Sequence, residues 1–229
     1  NSYGGRLSEL RPTALSFGTT AEIKDLFYAT PARLKFLKSD RAETQAIFDS
    51  VKRLALSNPD IRFLLQDITK SQKKIFLDLP EEKFESRYFN RIEKVLGKSF
   101  SENCIELFNE KDDYLLHGYI SLPTNSHGTS ANQYFFVNGR PVKDKLLLGA
   151  LRAAYFDFMS KDRFPAAVIY LNCNTRLVDV NVHPMKSEVR FKFPKDVRGL
   201  IINTIKNNLS KNGLKSNSVL TAKTLNSFS

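Results

Sequence analysis

Residues 166–173 read Ala-Ala-Val-Ile-Tyr-Leu-Asn-Cys, a β-rich run with almost no polar alternation. A strand with one wet face alternates, whereas a strand covered on both faces reads as a continuous apolar run. The chain must therefore build a sheet around this segment and lay helices against it. Four helical periodicities are available for the purpose. The first follows Asp40 and Glu43, a capping-box pair, carries Ile47, Val51, Leu54 and Ala55 on one face, and stops at Asn58-Pro59. Pro80 opens a second, with Phe84, Tyr88, Ile92 and Val95 inward and Gly97 placed to end it. A third begins near Asp144, with Leu147, Leu151, Ala154, Tyr155 and Phe158 inward. Pro194 opens the last, which carries Val197, Ile201, Ile205 and Leu209.

Further extended runs are expected over residues 61–66, 73–79, 104–108, 114–121, 133–138, 176–183 and 187–193. Together they predict an α+β domain over residues 31–210, a mixed sheet with helices packed against it. Gly18 to Phe27 is rich in β-formers and has no nearby partner, so it reads as a strand closing another sheet, with a boundary at Thr30-Pro31. Residues 211–229 turn to Ser, Asn and Lys and read as a disordered linker. The opening, Asn1-Ser2-Tyr3-Gly4-Gly5, lacks Met and a signal-peptide core, and reads as the interior of a longer protein.

Lys and Arg number 35 against 24 Asp and Glu, a net charge of +11 that favours polyanionic partners. A basic proteome or an acidic partner half would produce the same balance. No apolar run approaches the length of a membrane span. Cys104 and Cys173 lack a CxxC partner, which argues against zinc and for buried, reduced thiols in a cytosolic protein.

Two segments carry candidate chemistry. From Val178 to Phe191, alternating Val residues make a half-buried strand that Pro184 interrupts, leaving Lys186 at a loop tip. There a Lys is either a point charge deliverable to an external anion or a solvated surface residue. From Phe135 to Lys145, a strand ends in Asn138-Gly139, a hairpin-turn signal. Arg140, Lys143 and Lys145 then gather at a helix start, joined one turn on by Arg152. They form either a phosphate clamp or a solvated helix face.

Gly18-Thr19-Thr20, the run from Asp25 to Leu37, Phe136-Val137-Asn138-Gly139-Arg140 and the segment Asp179 to Phe191 occur in this order and spacing in the MutL family of DNA mismatch-repair proteins, which this chain resembles over residues 18–210. The resemblance implies an ATPase of the group that includes gyrase B, Hsp90 and histidine kinases. It makes residues 1–30 the end of the ATP-binding lobe. Residues 31–210 become a transducer domain with the fold of domain 2 of ribosomal protein S5. It implies that Gly18 and Thr19 belong to the last ATP-site motif. Lys186 reaches the terminal phosphate, and Arg140, Lys143, Lys145 and Arg152 lie where the family touches DNA. His183 is then a turn residue, because the family's water-activating Glu lies upstream, and Phe27, Tyr28 and Phe36 form an interdomain hinge. ATP and Mg2+ are implied for the intact protein and none for this stretch alone. DNA, MutS, a downstream nuclease or helicase and a second copy of the chain are the implied partners, in the cytoplasm and away from membranes. The rival reading is a stand-alone nucleic-acid-binding module of the same fold, with no ATPase coupling.

Overall fold

The computed structural model describes residues 2–3, 6–7, 9, 17–69, 73–180 and 188–226. It contains two compact units, residues 1–47 and 48–229. In the first, Pro31–Phe36 forms a 3-10 helix with no buried side chain, and helix α1, Asp40–Ser57, begins. The capping differs from expectation. Glu43 does reach back, but to the amide of Lys38 at 2.9 Å, while the first free amides of α1 go to the carbonyl of Ser39. The stretch from Gly18 forms no strand. Its backbone is irregular and then turns at Asp25–Ala29, where Asp25 and Phe27 have positive φ. A strand needs a partner for its amides, and none of the described residues pairs with it.

The second unit holds the expected α+β architecture. After α1 come a hairpin of β1, Phe63–Asp67, and β2, Lys74–Leu79, and then helix α2, Arg87–Leu96. Strands β3, Cys104–Lys111, and β4, Tyr114–Ser121, form a long hairpin. Strands β5, Gln133–Val137, and β6, Arg140–Val142, form a second hairpin, and helix α3, Lys145–Ala154, follows. Strand β7 is Ala167–Cys173. Short strands β8, Val178–Asp179, and β9, Arg190–Phe191, pair antiparallel before helix α4, Pro194–Asn226. The main sheet has the order β3-β4-β7-β5-β6, antiparallel except for the parallel pair β7/β5.

The apolar run at 167–171 occupies the centre of that sheet and is buried throughout. Ala167, Ile169 and Leu171 face α3 and α4, packing with Leu147, Leu151, Val197, Ile201, Ile205 and Leu209. Val168 and Tyr170 face the other way, toward Leu56 of α1 and Ile92 of α2. Each such large apolar side chain contributes roughly 1.5–3 kcal/mol on burial, so the two-faced strand anchors both layers. Val51 and Ala55 of α1 pack on the β1/β2 hairpin.

Two expectations about helices change. Helix α2 starts at Arg87, seven positions after Pro80, and Phe84 is 85% exposed with φ of +71° instead of facing the core. Competing partners hold the intervening backbone: the Glu82 amide donates to the Pro59 carbonyl at 2.8 Å. Arg91, fully buried, donates to the carbonyls of Ala55, Pro59, Ile61 and Pro80. That guanidinium staples the end of α1 and the strand approaches to α2, so the chain arrives at Arg87 before it can wind. At the other end, α4 continues to Asn226 through the stretch read from composition as a linker. Among the described side chains Leu209 is its last buried one. No described helix is long and apolar enough to cross a membrane.

Candidate nucleic-acid interface

The β5/β6 turn is the two-residue type that matches sheet twist, because Asn138 (φ 48°) and Gly139 (φ 77°) are both left-handed. It is fastened on two sides. The Asn138 amide donates to the Leu171 carbonyl at 3.0 Å, and its side-chain oxygen accepts from the Cys173 amide at 2.8 Å, tying the turn to the end of β7. The Ser57 hydroxyl donates to the Gly139 carbonyl, tying it to the end of α1. The neighbouring Leu56 carbonyl accepts from the Tyr170 hydroxyl at 2.8 Å. Ser57 was not singled out in the sequence. Its partner lies 82 positions away, and no local pattern announces it.

From this turn the chain leads directly into the cationic segment. Arg140 is exposed on β6, the end strand of the sheet, and Val142 beside it is buried. Lys143 is exposed. Asp144 then caps α3, accepting from the amides of Leu146 and Leu147 at 2.9 and 3.1 Å, and Lys145, exposed, is the first helical residue. Lys143 and Lys145 thus stand at the positive end of a helix dipole, where cations are disfavoured, and Arg140 lies five positions before Lys145 on β6. The one local carboxylate already serves backbone amides, so an external anion would relieve both the dipole and the mutual repulsion.

Arg152 does not join them one turn on. It occupies the last turn of α3, seven residues from Lys145, about 10 Å along the axis at 1.5 Å per residue. Its guanidinium donates to the Lys161 carbonyl at 2.7 Å and lies over the Phe164 ring at 5.2 Å, bracing the following loop. Lys161 and Arg163, which sequence reading passed over, line the same small hollow with Arg152, Tyr155 and Phe156.

Lys186 lies outside the described residues, as do His183 and Asn181. Their flanks are described: Val178 pairs with Phe191 and Asp179 with Arg190 across the β8/β9 ribbon, and Val189 and Phe191 are buried in the α3/α4 core. Gly18 and Thr19 are exposed in the first unit, and Gly18 has φ of +99° with no atom within 4 Å of where a Cβ would stand. Among the described residues no three or more His, Cys, Asp or Glu side chains converge as metal ligands.

A mixed five-stranded sheet with helices on both faces and a basic segment at one border defines an α+β domain of the S5-like transducer class. Residues 92–210 match the family described as DNA mismatch repair protein, C-terminal domain. The chain belongs to that family of DNA mismatch-repair proteins. It is 46% identical over 212 residues to the DNA mismatch repair protein MutL of Brucella anthropi, covering 93% of this chain and 33% of the relative. It is 46% identical over 225 residues to that of Allorhizobium ampelinum, covering 98% and 36%. The chain therefore spans about a third of the length of the curated relatives it matches. Among solved structures, the N-terminal domain of a DNA repair protein aligns with TM-score 0.68 at 25% identity, covering 82% of this chain and 60% of that one. A variant of the Aquifex aeolicus MutL ATPase domain shares the fold, with TM-score 0.50 at 24% identity over 78% and 59%.

Proposed function

We propose that this chain is the transducer half of a mismatch-repair ATPase, which holds DNA through the β6 border and links that contact to the nucleotide state of a neighbouring lobe. The observation that carries the DNA contact is the fastened Asn138-Gly139 turn, which leads directly into Arg140 on β6 and then Lys143 and Lys145 at the N-terminus of α3. Cations on a rigid support meet phosphates without reading bases, which suits a protein that must act wherever a mismatch falls. Arg152, at the far end of α3, extends the same track.

Residues 1–30 in this reading end the ATP-binding lobe, and residues 31–210 form the transducer. ATP with Mg2+ supplies a terminal phosphate for transfer to water. The residues present fit a phosphate: Gly18 offers open, left-handed backbone that an anion can approach closely, and Thr19 adds a hydroxyl. Lys186 brings a cation to the anionic oxygens, where positive charge favours phosphoryl transfer. The ATP-bound protein pairs with a second copy, receives its signal from MutS and passes it to a nuclease or helicase, in the cytoplasm. The MutL names of the relatives and the order of the motifs support this assignment.

The test is retention of DNA as a function of salt. Each neutralised phosphate contributes about 0.9 to the log–log slope, so Lys143→Glu with Lys145→Glu should lower the slope by roughly two as well as the affinity. An unchanged affinity and slope would remove the β6 border from the DNA contact.

A further inference from the structure

The border opposite β6 has the reverse charge. Strand β3 is the other end of the five-stranded sheet, eight residues long, and among the described residues no strand lies beyond its outer row of backbone groups. Ile105 and Leu107 turn into the core, while Glu106, Phe108 and Glu110 are exposed at alternate positions. Phe108 is 68% exposed. It stands across from His117, which stacks on Tyr170, which stacks on Phe136, so it continues a row of rings from the sheet interior to open solvent. Over residues 102–113 there are five carboxylates, Glu102, Glu106, Glu110, Asp112 and Asp113, against one cation, Lys111, in a chain of net charge +11. None of the five has an ion-pair partner among the described residues.

We infer that the β3 border is a docking edge for an extended cationic segment of a partner protein, which adds a strand with Lys or Arg against Glu106 and Glu110 and an apolar side chain against Phe108. Strand addition supplies main-chain hydrogen bonds for affinity, and alternate side chains supply selectivity. A second copy of this chain does not fit. Antiparallel self-pairing centred on Phe108 would set Glu106 opposite Glu110 twice, and like charges directly opposite are destabilising. DNA is repelled by the same carboxylates. The two borders are four strand spacings apart, about 19 Å at roughly 4.8 Å each, so a peptide on β3 and DNA on β6 can be held together.

The probe is a fluorescent peptide containing Lys-Thr-Val-Thr-Lys, titrated into the protein in low salt. One control peptide carries Glu for Lys, and a second carries Pro for both Thr, which keeps the charge but cannot pair as a strand. The expected result is binding of the first peptide alone, at least tenfold weaker to Glu106→Lys with Glu110→Lys and several-fold weaker to Phe108→Ser. Because Phe108 is exposed, Phe108→Ser should keep the parent's thermal midpoint and its DNA retention, and the charge-reversed protein should hold DNA at least as tightly as the parent, which separates this inference from the DNA contact of β6. Equal binding of the proline peptide, or equal binding to parent and charge-reversed protein, overturns strand docking. Loss of a peptide-free dimer on charge reversal overturns the choice of partner.

Discussion

The ring of His117 lies flat on Tyr170 with centroids 4.8 Å apart and meets Tyr88 edge-on at 5.5 Å. Burial lowers its pKa from the ordinary 6.5, with Glu106 opposing the shift. Between the lowered value and 6.5 the unfolded chain binds more protons than the folded one, so stability is complete above that window and falls as pH drops through it. His117→Phe should flatten the fall in urea midpoint between about pH 7.5 and 5.5 while keeping the stack. Next to it, Gly118 has φ of +140°, and a Cβ there would stand 2.1 Å from the Val168 carbonyl oxygen on the central strand. Backbone cannot yield as a side-chain tip can, so Gly118→Ala should cost roughly 3 kcal/mol in urea unfolding.

Helix α3 links stability to the candidate site, because its cap, Asp144, sits between Lys143 and Lys145. Asp144→Ala leaves the Leu146 and Leu147 amides unpaired and should cost about 1 kcal/mol, whereas Asp144→Asn keeps the acceptor and should cost far less. Chemical denaturation of the three proteins decides it. This helix was legible in the sequence, since Asp144, Leu147, Leu151 and Ala154 carry both the cap and the period. The two-faced strand at 167–173 and the start of α4 at Pro194 were legible for the same reason: local pattern and burial agree. Helix α2 was not, because tertiary partners override the Pro80 signal. Arg91 takes the carbonyls of Ala55 and Pro80, and Glu82 is drawn to Pro59 and Lys94, contacts that span up to 36 positions. The basic segment 140–145 could be read from composition and turn chemistry. The fastening of its turn by Ser57 and Cys173, and the bracing of Arg152 by Lys161 and Phe164, exist only once distant segments meet.

At the scale of the whole molecule, the proposed coupling between nucleotide and DNA turns on Lys186. In a protein that includes the preceding ATP-binding lobe, Lys186→Ala should lower ATP turnover by about a hundredfold, measured as phosphate release, with DNA retention kept in the absence of nucleotide. Unchanged turnover would assign phosphate stabilisation to other residues. The opposed charges of the two sheet borders bear on how such a molecule meets DNA in the first place. A polyanion pulls on one rim and pushes on the other, so an approaching molecule experiences a torque as well as an attraction. It is rotated toward a productive pose before contact. Capture should then be faster than for an evenly charged body of the same +11, and that advantage should vanish first as counterions are added.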